Sequence, residues 1–200
     1  MVRKMSRVAA VFVPVAASVL LVGCSGSGSD GSTGGSTSAA PSSAGGDSSL
    51  KVPAPLPADG LIDNPCSAIS AAQLTEIGLL TDGKVSADTP KLCRWTSSSI
   101  DLNSISLSAV SQNKGGIGDI YAQKAQSAYF EPVTLSGYPG VFASTDDGRP
   151  SGVCQLWAGV TDQLAVSIIT SINSGPNKTD PCPIAQKVGN ALVTHLKGAA

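Results

Sequence analysis

Residues 152–172 read GVCQLWAGVTDQLAVSIITSI, two apolar runs separated by one acidic residue. Both runs are rich in the β-branched and aromatic side chains that favour strands, and both Gly152–Thr161 and Gln163–Ile172 are long enough to form one. Little more than Asp162 remains for the connection, so a tight hairpin is predicted. The hairpin indicates that an antiparallel sheet is the framework of the fold.

Further strands are predicted on the N-terminal side of the hairpin. Residues 103–110 alternate strictly, with Ile105, Leu107 and Ala109 on one side and serines on the other. This period of two is typical of an antiparallel strand with one buried and one wet face. The other predicted strands are residues 91–97, 130–135 and 138–144, the last two flanking a turn at Ser136 and Gly137.

Three helices are predicted around the sheet. The first opens within residues 65–74, because Ser70 and Gln73 have capping-box spacing, and ends at Gly78, which is a natural stop. The second spans residues 119–129. The third is expected to be capped by Asp180 with Pro181 in its first turn. Its apolar stripe consists of Ile184, Val188, Leu192 and Leu196.

Together these elements predict an α+β fold. Helices and strands do not alternate as in βαβ units, and most strands are joined by short turns. We therefore expect one curved antiparallel sheet with N-terminal, middle and C-terminal helices on a single face.

The N-terminus is typical of an export signal. Three cations, Arg3, Lys4 and Arg7, precede an apolar run over residues 8–21. The small residue Gly23 then lies directly before Cys24. About 14 apolar residues are fewer than the roughly 20 that a transmembrane helix needs. Leu21-Val22-Gly23-Cys24 resembles a bacterial lipobox, in which the cysteine is lipidated and becomes the mature N-terminus. The alternative is an ordinary secretory signal with an incidental cysteine.

Composition divides the rest of the chain into two parts. Residues 24–57 carry the predicted lipidated cysteine and then mostly Ser, Gly, Ala, Asp, Thr and Pro, which cannot bury enough apolar surface to fold. We expect a flexible tether there, stiffer towards the prolines at its end. Residues 58–200 are long enough for one domain with a single core.

Charge argues against a nucleic-acid partner. Three of the 13 Lys and Arg residues, and none of the 14 Asp and Glu residues, lie in residues 1–23, so the remaining 10 cations and 14 anions give a net charge of about −4. No run of cations follows Cys24. A nucleic-acid surface would need clustered cations.

The other four cysteines predict two disulfides. An even number of cysteines in an exported domain favours disulfides, while the absence of a C-x-x-C pair and the single histidine, His195, argue against zinc. Cys66 and Cys182 each follow a proline at a predicted helix start, and Cys93 and Cys154 lie in predicted strands. We favour the pairs Cys66–Cys93 and Cys154–Cys182. The rival pairing joins the two helix cysteines.

Short motifs in a fixed order resemble one known family. They are Pro65-Cys66-Ser67, Ala72-Gln73-Leu74, Cys93-Arg94-Trp95, Gly137-Tyr138-Pro139, a strand cysteine and Asp180-Pro181-Cys182, behind a lipobox and tether. The chain resembles the actinobacterial lipoproteins catalogued as domain of unknown function 3558. This resemblance implies an extracytoplasmic location and a disulfide-stapled α+β domain. It implies no established activity, and it carries over no catalytic residue.

Few residues suggest a chemistry. His195 is near the C-terminus without a predicted nucleophile beside it, and the chain has no G-x-S-x-G elbow. The glycines around Ile117 lack the Lys-Ser/Thr of a phosphate loop, so we expect a turn. Asp146 and Asp147 are too few for a Ca²⁺ loop and are also expected in a turn. We therefore expect no catalytic residue, no metal site and no cofactor.

Aromatic residues offer a candidate ligand cleft between sheet and helices. Its predicted lining is Trp95, Arg94, Tyr138 and Trp157. The alternative is that the aromatics are ordinary core, with Arg94 on the wet face of its strand or paired with a carboxylate such as Asp180.

The function predicted from these features is that of a non-enzymatic binding or accessory lipoprotein of the cell envelope. We expect attachment to the extracytoplasmic face of the cell membrane through the lipid on Cys24, with an envelope protein or a small molecule as the ligand. Two alternatives remain. One is a sensor or regulatory domain for an envelope protein, and the other is an envelope hydrolase using carboxylates, for which Asp146 and Asp147 are the adjacent acidic pair.

Overall fold

A computed structural model describes residues 50–199, which form seven strands and four α-helices. The strands are β1 (Lys84–Val85), β2 (Cys93–Thr96), β3 (Ser104–Val110), β4 (Tyr129–Leu135), β5 (Tyr138–Ser144), β6 (Gln155–Thr161) and β7 (Leu164–Ser171). The helices are α1 (Gly60–Asp63), α2 (Ala71–Ile77), α3 (Ile117–Ala122) and α4 (Cys182–Gly198). Short 3-10 helices lie at Pro65–Ala68, Lys124–Gln126 and Arg149–Ser151.

All seven strands join one antiparallel sheet in the order β1-β2-β3-β7-β6-β5-β4. The predicted hairpin, β6 with β7, lies near the middle, and Asp162 and Gln163 form its turn. The predicted turn at Ser136 and Gly137 is confirmed, since both residues have positive φ, 48° and 91°, as hairpin turns of two residues require. The α+β class is confirmed.

One face of the sheet, which we call the core face, carries the main core. Its strand residues include Trp95, Leu107, Leu156 and Ile168, all of them buried. Helix α4 lies across this face with its predicted stripe turned inwards, Val188, Leu192 and Leu196 buried and Ile184 packed at the margin. Gly189 permits α4 to approach the sheet closely, because a Cβ atom at this position would lie only 2.9 Å from the Leu156 side chain.

The opposite face, which we call the open face, carries a smaller cluster under α3. Ile117 and Ile120 of this helix pack on Val141 and Ala143 of β5. The prediction that all helices share one face is therefore wrong. The reason is visible in β5, where Val141, Phe142 and Ala143 are buried in succession, so this strand needs cover on both sides.

The helix boundaries correct several expectations. The capping box of Ser70 and Gln73 begins α2, and Gly78 ends it in the left-handed conformation, as predicted. Residues 65–68 form a 3-10 helix and no α-helix. The middle helix predicted over 119–129 is shorter, since β4 already begins at Tyr129. Asp180 does not cap α4, whose N-cap residue is Pro181 without a side-chain cap.

Two disulfides fasten helical segments to the sheet. Cys66 of the first 3-10 helix bonds Cys93 of β2, and Cys154, just before β6, bonds Cys182 at the start of α4. Their Cα atoms lie 5.0 and 5.2 Å apart, within the usual range for disulfides. This is the pairing that the sequence favoured over its rival.

The N-terminal boundary of the packed chain lies earlier than predicted. Residues 50–57, expected to belong to the tether, lie against the domain and are called the strap below. The Leu56 side chain is buried and its N–H donates to the Val160 carbonyl at 2.9 Å. Isolated leucines in a Pro- and Ser-rich segment gave no periodicity from which this contact could be predicted.

The predicted signal peptide (1–23), the lipidation site Cys24 and the first part of the tether lie outside the described residues. Within residues 50–199, no helix has the length and apolar character needed to cross a membrane.

Candidate functional site

The four residues of the predicted cleft do not come together. Trp95 is 1% exposed and belongs to the core face, as does the buried Tyr138. Arg94 points away from Trp95, is exposed, and forms no ion pair within residues 50–199, so pairing with Asp180 is also wrong. Trp157 lies on the open face, packed beside the α3 cluster. The alternation of strand side chains places Trp95 and Tyr138 on one face of the sheet and Arg94 and Trp157 on the other.

Trp157 instead lines a recess of about 110 Å³ on the open face, which we call the Trp157 recess. The recess lies where the ends of β5 and β6 meet the segment that follows α3. Its lining residues are Ile120, Gln123, Ser127, Ala143, Ser144, Thr145, Gln155 and Trp157. Of these, only Trp157 was among the residues predicted for a site.

The recess exists because two strands separate. Strands β5 and β6 pair from Gly140–Ala158 to Phe142–Leu156, and the next pair, Ala143 with Gln155, is missing. Side chains bind two of the backbone groups of this missing pair. The Trp157 indole N–H donates to the Ala143 carbonyl at 3.1 Å, and the Gln155 N–H donates to the Tyr129 hydroxyl at 2.9 Å. These two hydrogen bonds offset part of the cost of separating the strands.

The open face continues from the recess as a polar surface. Arg94, Ser106, Ile169 and Gln155 form one row across β2, β3, β7 and β6. Ser108, Ser167 and Trp157 form the next row. We call Ser106, Ser108 and Ser167 the serine surface, in which Ser106 and Ser108 are half-buried and Ser167 is buried. The Gln155 amide nitrogen donates to the Ser167 hydroxyl at 3.1 Å, which joins the serine surface to the recess.

A charged network borders the same end of the sheet. Arg149 binds Asp147 through two hydrogen bonds of 2.8 Å and Glu131 through one of 2.6 Å. Its guanidinium also lies 4.2 Å from the centre of the Tyr129 ring. This arrangement fixes the loop between β5 and β6 to β4, and the fork of the guanidinium suits two carboxylates at once.

Three groups of the network have shifted pKa values. The hydrogen bonds from Arg149 lower the pKa of Asp147, and the same bonds raise the pKa of Arg149. Burial raises the pKa of the Tyr129 hydroxyl, an effect opposed by its hydrogen bond from Gln155 and by the charge of Arg149. Asp147 is therefore ionised and engaged at neutral pH, as a structural ion pair requires.

The other candidate residues occupy separate places. His195 is half-buried on α4, and its imidazole has no hydrogen bond or ion pair with another residue of the range 50–199. The Gly115 N–H donates to Asp119 at 2.9 Å, so the glycine loop before α3 is a turn closed by its own carboxylate. No group of three or more His, Cys, Asp or Glu side chains able to hold a metal occurs in residues 50–199.

Sequence reasoning missed the polar residues of the recess for a physical reason. Gln123, Ser127, Thr145 and Gln155 come from three different parts of the chain and form no spaced motif. Their assembly depends on the broken Ala143–Gln155 pair, which no local pattern predicts.

The family match agrees with the fold. The sequence profile of the family described as "Protein of unknown function (DUF3558)" matches residues 19–195, and the chain belongs to this family. No curated protein and no solved structure matches the chain.

Proposed function

We propose that this chain is an exported lipoprotein of the actinobacterial type that acts as a non-enzymatic binding or accessory protein of the cell envelope. The observation that carries the proposal is the N-terminal sequence, in which Arg3, Lys4 and Arg7 precede an apolar run ending in Leu21-Val22-Gly23-Cys24. Lipid on Cys24 holds the chain on the extracytoplasmic face of the cell membrane, and more than one acyl chain makes this attachment stable.

The strap supports this arrangement, because it fixes where the chain enters the domain. The Tyr138 hydroxyl donates to the Ala54 carbonyl at 2.8 Å, and the Val52 N–H donates to Asp162 at 3.2 Å. Both contacts lie at the end of the sheet with the β6–β7 turn. The Trp157 recess lies near the other end of β6, roughly 15–20 Å away at about 3.3 Å per residue. At its N-terminal end, however, the strap packs Leu50 against the α3 cluster, so the chain enters the domain on the open face.

The experiment that tests the attachment replaces the proposed lipid acceptor. In a bacterial host with a lipoprotein pathway, the wild-type chain is expected to incorporate labelled palmitate and to partition into detergent, whereas Cys24→Ala loses both. Ser25→Ala, which changes the neighbouring residue, should behave as wild type. Unchanged labelling and membrane retention of Cys24→Ala, or unchanged cleavage of the wild-type signal peptide under globomycin, would overturn the proposal.

The two alternatives make different demands. A carboxylate hydrolase needs a protonated acid, but the pKa of Asp147 is lowered and both of its oxygens are bound by Arg149. A sensor or regulatory domain needs a protein partner. A pull-down from detergent-solubilised envelope, made with and without the tether, separates that role from binding of a small molecule. A protein should be recovered only if the chain has a protein partner.

A further inference from the structure

We propose that the Trp157 recess binds one ring of a neutral sugar, with the rest of an oligosaccharide continuing over the serine surface. This inference rests on the binding role proposed above and supplies its ligand class. It does not depend on the lipid at Cys24.

The lining of the recess has the chemistry that a sugar ring requires. A sugar ring presents an apolar face of C–H groups and a rim of hydroxyls. The recess presents an indole, small apolar groups, and amide and hydroxyl side chains, with no charged residue among them. Apolar walls with a few polar groups that fix orientation are the usual composition of small-molecule sites.

The indole of Trp157 is held in place before any ligand arrives. Its N–H is already bound to the Ala143 carbonyl, so the ring offers its apolar surface and not its donor. Ile120 and Val141 belong to the cluster against which Trp157 packs. A fixed ring loses little conformational freedom on binding, which favours a weakly hydrophobic ligand such as a sugar.

The two amides provide acceptors for sugar hydroxyls. The Gln155 amide nitrogen donates to Ser167 and the Gln123 amide nitrogen donates to the Asp119 carbonyl at 3.0 Å. Each bond orients an amide whose carbonyl oxygen has no hydrogen-bond partner within residues 50–199. Ser127 and Thr145 add hydroxyls that both donate and accept.

The volume of the recess and the charges near it restrict the class of ligand further. At about 110 Å³ the recess has the volume of roughly four water molecules, which suits part of a single ring. Asp146 lies beside it, hydrogen-bonded to Thr145 and Ser144, and Asp147 and Glu131 lie in the network beyond. Asp147 and Glu131 are neutralised in part by Arg149, but Asp146 forms no ion pair within residues 50–199, and its charge disfavours sugars that carry acid groups, so a neutral glycan is the expected ligand.

The test uses the two indole N–H signals in an NMR titration of the full chain, kept in a detergent without a sugar headgroup. Chitotriose, maltotriose and mannotriose are each added to about 10 mM, ten times a Kd of about 1 mM. The Trp157 signal is expected to shift and saturate with at least one of them. The Trp95 signal, from a side chain buried on the core face, should stay in place, and trigalacturonate should shift neither.

A matched pair of variants locates the binding site. Gln123→Ala removes a lining amide and is expected to weaken binding about fivefold, while Gln126→Ala, exposed in the 3-10 helix that follows Gln123 and outside the recess, leaves it unchanged. No shift with any neutral sugar, equal shifts of both indoles, or equal effects of the two variants would overturn the proposal. The titration does not depend on Cys24. Failure of sugar binding would therefore not contradict the palmitate result, and failure of palmitate labelling would not contradict sugar binding.

Discussion

On the core face of the sheet, α4 and both disulfides cover a continuous apolar layer, whereas on the open face α3 forms a cluster of only four buried residues with β5, beside the half-buried Ser106 and Ser108. The same strands build both faces, since their side chains alternate. The difference between the two faces indicates that they have different roles. The core face supplies most of the free energy of folding, and the open face is available for a ligand.

The largest effect should come from the core face. Leu192→Ala empties a fully buried position under α4, and we expect a loss of about 4 kcal/mol in the free energy of unfolding. Ile120→Ala, on the open face, should cost about 2 kcal/mol, because its small cluster can collapse around the gap. Leu102→Ala, at a position 79% exposed, is the control and should change little. Urea denaturation measures all three, and an equal loss for Leu192 and Ile120 would contradict the comparison.

The next effect concerns the disulfides. Removing the bridge between β6 and α4 with Cys154→Ala and Cys182→Ala together opens a loop with a sequence separation of 28 residues. The expected loss is about 3–4 kcal/mol by the chain-entropy estimate. Thiol labelling of the denatured wild-type protein without reductant should find none of the four domain cysteines free. Labelling at any of them would show that the bridges are absent.

A smaller effect is expected at the strap. Tyr138→Phe deletes the hydrogen bond to the Ala54 carbonyl and keeps the ring, at a cost of about 1 kcal/mol. Hydrogen exchange should become faster in residues 50–57 and stay unchanged in β6 and β7. Exchange that was already fast across the strap of the wild-type protein would show that these residues belong to the tether after all.

The smallest effect is a dependence on pH. Because Arg149 lowers the pKa of Asp147 below 3.8, this carboxylate stabilises the folded state above that pH, and the stabilisation is lost as the pH falls through the lowered value. Asp147→Asn should therefore reduce the loss of stability on acidification below about pH 4, as followed by thermal melting. Asp146→Asn is the matched control, and an identical change in both variants would argue against the Arg149 network.

Several features were predictable because they depend on neighbours in sequence. The β6–β7 hairpin follows from the short break at Asp162, and the start of α2 follows from the Ser70 and Gln73 spacing. The disulfide pairs follow from the matching positions of the cysteines, two at predicted helix starts and two in predicted strands. Each of these signals is local or is a simple correspondence between two segments.

Other features depend on contacts between distant segments. The strap binds through single residues such as Leu56, and the cover of β5 by α3 depends on where the chain crosses the sheet. The predicted cleft failed because Trp95 and Trp157 were grouped by residue type, although their positions in the register place them on opposite faces. Amino-acid composition does not determine the strand register, and the register decides on which face of the sheet each tryptophan lies.

The most direct test of the difference between the two faces is acrylamide quenching of each tryptophan in turn. Trp157→Phe leaves Trp95 as the emitter, and Trp95→Phe leaves Trp157, with circular dichroism used to check that each variant is folded. We predict that Trp95 is almost fully protected, since it is 1% exposed, and that Trp157 is several-fold more readily quenched. Equal quenching of the two indoles would show that the open face is sealed like the core face, and the account would be wrong.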